Sequence, residues 1–205
     1  MDNAVALVQA YLRVNGYFTV TEFPVIEASR GGAYRTATDL DVLAVRFPGA
    51  GQLVPASGRR GGADQEHTVT DAALGIPTEH GDMVVGEVKE GRAVLNAGAA
   101  DPAVLRTVLV RFGCCSREEA PALVEALLRD GSALLPIGHR IRLVAFGSVT
   151  AGAAGQKYLA VSLGEIVEFL RRYLRDHWDV LRPAEYKDPA LGFLVLLEKA
   201  LAEAG

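Results

Sequence analysis

The sequence predicts an α/β fold, in which one mixed β-sheet is flanked by helices and followed by a helical extension. First, segments with apolar residues at helical spacing occur near both ends and in the middle of the chain. Second, segments rich in β-branched and aromatic residues lie between them. Third, 205 residues, of which 50% are hydrophobic, can bury one substantial core. We therefore predict a single domain over 1–205, with a core over about 1–165 and C-terminal helices over about 163–203.

The first half of the chain predicts one helix and three strands. Apolar residues recur at helical spacing up to Val14, and Asn-Gly-Tyr at 15–17 is a helix stop. Alternating β-branched and aromatic residues follow, and two glycines then mark a turn. A stretch rich in glycine and proline predicts a long irregular insertion, of a kind that is usually functional or mobile. The predicted elements are a helix over 4–14, strands over 17–28, 36–47 and 82–91, and the insertion over 48–81.

The second half predicts helices, then strands, then helices. Pro102 fits the first turn of a helix, Ser116 and Glu119 have the spacing of a capping box, and Gly131 is a helix stop. A glycine-rich turn separates two further strands, and a strongly amphipathic segment follows them. The predicted elements are helices over 101–113, 116–131, 164–182 and about 189–203, and strands over 139–147 and 157–163.

The composition narrows the class of protein. The net charge is −4, and its acidic surplus lies in residues 1–100, with 8 Lys and Arg against 12 Asp and Glu. Such a surplus fits either a soluble surface or a metal site. The longest apolar runs, such as 191–197, are shorter than the roughly 20 residues that span a bilayer, and the N-terminus lacks a basic leader. We therefore expect no membrane segment. Because two adjacent cysteines cannot form a disulfide framework, we also expect a cytoplasmic protein.

Charged residues occur inside the otherwise apolar strand segment 83–91, where an unpaired charge would be costly. Residues two apart on a strand share a face and lie about 6.6 Å apart along it. Glu87 and Lys89 therefore point the same way. On the preceding strand, Asp41 shares its face with Leu43. If the two strands are neighbours, Asp41, Glu87 and Lys89 converge on one point of the sheet surface.

Two carboxylates beside a lysine suit a metal ion and a phosphate. A hard divalent cation such as Mg²⁺ or Mn²⁺ prefers oxygen ligands and completes its coordination with water. A metal-bound water loses a proton more easily, and a neighbouring lysine can orient that water or stabilise a phosphate oxygen. Carboxylate, ammonium and cation also compensate one another's charge in a buried place. The pattern therefore indicates metal-assisted hydrolysis of a phosphodiester.

The segments Thr-Asp-Leu-Asp-Val-Leu-Ala-Val at 38–45 and Val-Val-Gly-Glu-Val-Lys-Glu-Gly at 84–91 resemble the Asp and Glu-x-Lys motifs of the PD-(D/E)xK, or restriction-endonuclease-like, nuclease superfamily. More narrowly, these segments are similar to those of small bacterial nuclease-like proteins related to Holliday-junction resolvases and RecB-type domains. The resemblance implies an αβββαβ core and a DNA-cutting activity that uses Mg²⁺ or Mn²⁺. It makes Asp41 and Glu87 the metal ligands, adds the backbone carbonyl of Val88 as a further ligand, and makes Lys89 the catalytic lysine.

The resemblance also directs attention to supporting residues. Many relatives carry a metal-supporting glutamate on the first helix, whereas this chain has Val5 at that place. Asp39, the other acid of this strand, is expected to serve as a second contact or a strand-start residue. The candidates for support are Gln9, Glu22, Glu27 and Asp39. The candidates for the polar signature that often follows the third strand are Arg92, Asn96 and Arg106.

DNA is the partner that the resemblance implies, and a homodimer is a further expectation. Arg59 and Arg60 lie on a glycine tether that could reach a phosphate backbone, and Arg92 and Arg106 are the other candidate contacts. Two alternatives stay open. One is a catalytically inactive module for binding or assembly on the same fold, which Val5 favours. The other is a hydrolase of small phosphorylated substrates, in which the insertion would close a pocket.

Overall fold

The structure is a computed structural model that describes residues 2–28, 32–50, 70–77, 79–150, 155–182 and 186–203. It is an α/β fold with one mixed six-stranded sheet between two layers of helices, as the sequence predicts. The helices are α1 (Asn3–Val14), α2 (Pro102–Arg111), α3 (Ala120–Asp130), α4 (Leu163–Asp176), α5 (Trp178–Leu181) and α6 (Pro189–Glu203). The strands are β1 (Phe18–Ala28), β2 (Tyr34–Arg46), β3 (Asp82–Arg92), β4 (Ser132–Leu134), β5 (Arg140–Val149) and β6 (Leu159–Ser162).

Strand β3 lies inside the sheet and joins its two halves. The strand order is β1-β2-β3-β5-β4, and β6 also pairs with β5. Strand β3 is antiparallel to β2 and parallel to β5. A parallel pair needs a long crossover connection, which α2 and α3 provide here. Side chains on β3 therefore have a neighbouring strand on each side and a helical layer on each face.

The two faces of β3 belong to two apolar cores. Val84 and Val88 point toward the layer of α1, α4 and α6, whereas Met83 and Val85 point toward the layer of α2 and α3. Because both faces are covered, the run from Met83 to Gly86 is apolar without alternation. This burial is the reason that the charges of Glu87 and Lys89 require a structural explanation.

The helix boundaries follow local signals in most places. Asp101 caps α2, whose first turn contains Pro102. Ser116 and Glu119 form the two reciprocal hydrogen bonds of the predicted capping box, but the box lies in the turn before α3, which begins at Ala120 and not at Ser116 as predicted. The predicted helix over 164–182 is instead two helices, because α4 ends before His177 and α5 begins after it. Strand β4 was not predicted, since three residues are too few to show a period. Within the described ranges, every helix is too short or too polar to cross a membrane.

A buried polar network stands at the start of β3. Asp82 accepts hydrogen bonds from the hydroxyl of Tyr17 at 2.5 Å, from Arg140 at 2.9 Å and from Arg142 at 2.8 Å. Arg142 also donates to the carbonyl of Leu74, which ties the short 3-10 helix before β3 to the sheet. Because the buried charges are paired and hydrogen-bonded, this network avoids the cost of an isolated charge.

Replacing Asp82 with alanine should lower the free energy of unfolding by about 3–5 kcal/mol, because Arg142 would stay buried without its counter-ion. Urea unfolding followed by circular dichroism measures this loss. Asp130→Ala is the matched control: Asp130 pairs with Arg129 at an exposed site, so its loss should change stability little. Equal losses in the two variants would contradict the role of the network.

Candidate metal centre

The hydrogen-bond ladder between β2 and β3 ends where the predicted site begins. Its last pair is Val42 with Gly86, and the next residues outward are Asp41 and Glu87. Beyond this pair, the Oδ2 atom of Asp41 accepts a hydrogen bond from the backbone N–H of Val88 at 2.7 Å. The two strands therefore separate at a fork, which we call the β2–β3 fork (Asp41, Glu87 and Val88). The carboxylate of Asp41 lies in its opening.

The glycine at the base of this fork has a steric cause. A Cβ atom on Gly86 would lie 2.5 Å from the Cγ1 atom of Val42 and 3.0 Å from the ring of Phe146. Any side chain at position 86 would therefore displace the side chain of Val42 or Phe146. The absence of a side chain leaves room for these two apolar groups at the base of the fork.

Glu87 is the buried carboxylate of the fork. Its side chain has 0% exposure, and its Oε1 atom forms an ion pair with Lys89. The side-chain amide of Asn96 donates to the same oxygen at 2.6 Å. The Oε2 atom is buried and has no hydrogen-bond partner in the part of the chain that the structure describes. A buried carboxylate oxygen without a partner is costly, so a ligand at this atom would compensate a real deficit.

Asn96 reaches Glu87 from the loop between β3 and α2. Its Oδ1 atom accepts the backbone N–H of Ala99 at 2.6 Å, so the amide is oriented with its Nδ2 atom toward Glu87. A Cβ atom on Gly98 would lie 2.5 Å from the hydroxyl of Thr38, so the loop passes close against β2. Sequence patterns could not reveal this contact, because Asn96 lies in a loop, where no helix or strand period relates it to Glu87.

The charges at the fork act on one another. Burial raises the pKa of Glu87 above its ordinary value, the charge of Asp41 raises it further, and the hydrogen bonds from Lys89 and Asn96 oppose both. The hydrogen bond to Glu87 raises the pKa of Lys89, and the charges of Glu87 and Asp41 act in the same direction. Lys89 therefore stays protonated at neutral pH, with a side chain that is 41% exposed. The structure thus brings Asp41, Glu87 and Lys89 together.

The oxygen atoms at the fork fit a hard divalent cation. Glu87 presents the partnerless Oε2 atom, and Asp41 uses only Oδ2 to bind Val88. The N–H and C=O of one strand residue point to the same side, so the carbonyl of Val88 also faces the fork. Among the described residues, no group of three or more His, Cys, Asp and Glu side chains could hold a metal ion. A cation would therefore depend on two carboxylates, one carbonyl and water.

The predicted supporting residues of the hairpin lie at different distances from the fork. Glu22 is exposed on β1 at the position directly across from Asp41, because the ladder pairs the neighbours of one with the neighbours of the other. Glu27 forms an ion pair with Arg35 near the other end of the hairpin, so the structure does not bring it to the fork. Asp39 is exposed on β2, two residues before Asp41.

The first helix places no carboxylate at the fork. Val5 is 5% exposed and lies in the core between α1 and the sheet, and Gln9 is buried on the same helix. This helix packs against the face of β3 that carries Val84 and Val88, whereas Glu87 lies on the opposite face. Helix α1 therefore contributes apolar packing behind the fork.

The four arginines proposed as DNA contacts have different outcomes. Arg59 and Arg60 lie outside the described residues. Arg92 is exposed at the end of β3, three residues after Lys89. Arg106 is exposed on α2, where its Nε atom donates to the carbonyl of Pro102 at 3.2 Å. Contact between these arginines and DNA stays a prediction.

Comparison of the chain with protein-family models, with curated proteins and with solved structures finds no match. The geometry and charges of the β2–β3 fork are therefore the features of this chain that bear on its function.

Replacing Glu87 with glutamine should raise the free energy of unfolding at neutral pH in the presence of a chelator, by about 1 kcal/mol or more. The substitution keeps the shape and removes a buried negative charge. Because burial raises the pKa of Glu87, the charged form destabilises the folded state. That cost is present above the folded-state pKa and disappears as the pH falls below the ordinary pKa of glutamate, where the side chain is neutral in both states.

Urea unfolding at a series of pH values checks this sign. The stability difference between Glu87→Gln and the wild type should grow as the pH rises and vanish in acid. Glu90→Gln is the control, because Glu90 is exposed on the same strand and carries the same charge. A Glu87→Gln protein that is less stable than the wild type at every pH would contradict the expectation.

Proposed function

We propose that the protein is a metal-dependent nuclease that hydrolyses DNA phosphodiester bonds with Mg²⁺ or Mn²⁺. The single observation that carries the proposal is the β2–β3 fork, where Asp41 and the Glu87-x-Lys89 pair meet beside a carboxylate oxygen that lacks a partner within the described residues. The element order also supports a restriction-endonuclease-like core: α1-β1-β2-β3-α2-β5 corresponds to αβββαβ, with α3 and β4 inserted and α4 to α6 as the extension.

The fork divides the chemical work among its residues. Asp41, the Oε2 atom of Glu87 and the carbonyl of Val88 would hold the cation, which when bound supplies Lewis acidity and a more acidic water. Lys89 is oriented by Glu87 and extends toward solvent, where its ammonium can stabilise the negative charge that develops on a phosphate. Asn96 donates to the Oε1 atom of Glu87, and the Oε2 atom is left without a partner among the described residues.

DNA is the proposed substrate class. Arg92 follows Lys89 on the same strand and is exposed, and we propose its guanidinium as a further contact to a phosphate backbone. Arg106 and the pair Arg59 and Arg60 are proposed as further contacts. Self-association of the chain stays a prediction.

Mn²⁺ should bind the purified protein with a heat that depends on both carboxylates. Asp41→Asn and Glu87→Gln should each abolish the heat in isothermal titration calorimetry, because each removes a charged oxygen ligand. Glu90→Gln keeps both proposed ligands and should bind as the wild type does. A heat that persists in both Asp41→Asn and Glu87→Gln would place the metal elsewhere.

Lys89→Ala should lower the rate of plasmid or branched-DNA cleavage in Mg²⁺ or Mn²⁺ by about 10²–10³-fold, the usual effect of removing one group that stabilises transition-state charge. Metal binding by calorimetry should survive, since Lys89 is not a ligand. Lys157→Ala removes an exposed lysine away from the fork and serves as the control. Cleavage that survives Lys89→Ala would overturn the mechanism.

Two observations favour a second function, a catalytically inactive module for binding or assembly. Val5 is buried in the core where many nucleases of the resembled superfamily have a metal-supporting glutamate, and the described residues hold no cluster of three potential ligands. Absence of any Mn²⁺ heat in the wild-type protein would favour this module over the enzyme.

A further inference from the structure

Glu22 has a backbone conformation that is uncommon in a strand. Its φ is 52°, in the left-handed region, and among the described residues every other positive φ belongs to glycine. A residue with a side chain adopts this region only when the surroundings hold it there, and such residues concentrate at functional sites. Glu22 lies in the middle of β1, where an extended conformation would be ordinary.

The alternation of side chains slips by one residue at this place in the hairpin. Val20 pairs with Leu43, and Phe23 pairs with Leu40. Leu43 and Leu40 belong to the same apolar cluster, so both pairs lie on the face covered by α2 and α3. Residues three apart on a regular strand point to opposite faces. Both strands therefore contain a slip between these two pairs.

The slip is located at Glu22 and Asp41. Thr21 still pairs with Val42, so only Glu22 and the residue across from it lie between two intact parts of the ladder. The left-handed conformation of Glu22 accounts for the slip in β1. Strand β2 has the same slip, because its pairs with β1 are retained on both sides of Glu22 and Asp41. At the same level the carboxylate of Asp41 reaches the N–H of Val88 on the neighbouring strand.

We propose that Glu22 is a positioning residue for the β2–β3 fork, and that its left-handed backbone directs the carboxylate of Asp41 to Val88. The inference rests on the proposed function only insofar as Asp41 is a metal ligand. Residue type at position 22 then matters through its tolerance of a positive φ. Glycine and asparagine tolerate that conformation, whereas a β-branched residue opposes it.

Hydrogen exchange at the Val88 amide, measured by NMR without metal, tests the proposal directly. Glu22→Gly and Glu22→Asn should keep the protection of this amide. Glu22→Val should speed its exchange about five- to tenfold, toward the rate in Asp41→Ala, because the hydrogen bond to Asp41 is weakened. Glu27→Val is the matched control, with the same substitution at another position of β1 away from the slip.

The amide of Leu143, which donates to the carbonyl of Gly131 at 2.9 Å, reports any general loss of stability. Equal acceleration at Val88 and Leu143 in Glu22→Val, or equal loss of protection in Glu22→Gly and Glu22→Val, would overturn the proposal. If Glu22→Val does not fold, Glu22→Ala takes its place under the same criteria.

Mn²⁺ calorimetry on the same variants distinguishes a failure of the proposed role of Glu22 from a failure of the proposed metal-dependent function. Affinity should be kept in Glu22→Gly and fall in Glu22→Val. If the wild type binds no Mn²⁺, the proposed function fails, while the exchange rates at Val88 still decide the role of Glu22.

Discussion

A carboxylate with no exposed surface, Glu87, is the constraint on which this end of the sheet depends. Its position on a strand covered on both faces means that water cannot compensate its charge. The chain compensates one oxygen with the ammonium of Lys89 and the amide of Asn96. The loop that carries Asn96 is held against β2 by a glycine that leaves no room for a side chain. The ammonium, the amide and this glycine therefore all contribute to stabilising one buried charge.

The two buried acids of β3 differ in how completely their carboxylate oxygens are paired. Asp82 has a tyrosine hydroxyl and two guanidinium groups around it, and this complete set of partners makes it a structural anchor. Glu87 keeps one oxygen that no described group satisfies. A buried polar network that is fully satisfied stabilises a fold, whereas an incomplete one has a cost that a ligand can offset. The difference between the two acids is the physical basis for assigning function to one and structure to the other.

Alternation of apolar residues was sufficient to predict every strand except the short β4, the mixed sheet and the shared location of Asp41, Glu87 and Lys89. Strict alternation also predicts that Asp41 lies on the face of Leu43, yet its carboxylate binds a backbone N–H of the neighbouring strand. The cause is a left-handed step at Glu22, and glutamate, unlike glycine, gives no signal for that conformation. Asn96 was a candidate from the resemblance, but its contact with Glu87 could not be predicted, because loop contacts have no period and only the folded chain shows which side chains meet.

The side chain and the backbone of Val88 contact different parts of the structure. Its side chain is packed in the core with α1, while its N–H binds Asp41 and its carbonyl faces the fork. A change of volume in that core, even on a helix that never approaches the carboxylates, would shift the backbone of Val88 because interiors are close-packed. Selection for the geometry of the fork therefore also constrains the helices behind the sheet, because both contact Val88. Fewer substitutions in this hydrophobic core are therefore tolerated than its packing alone would allow.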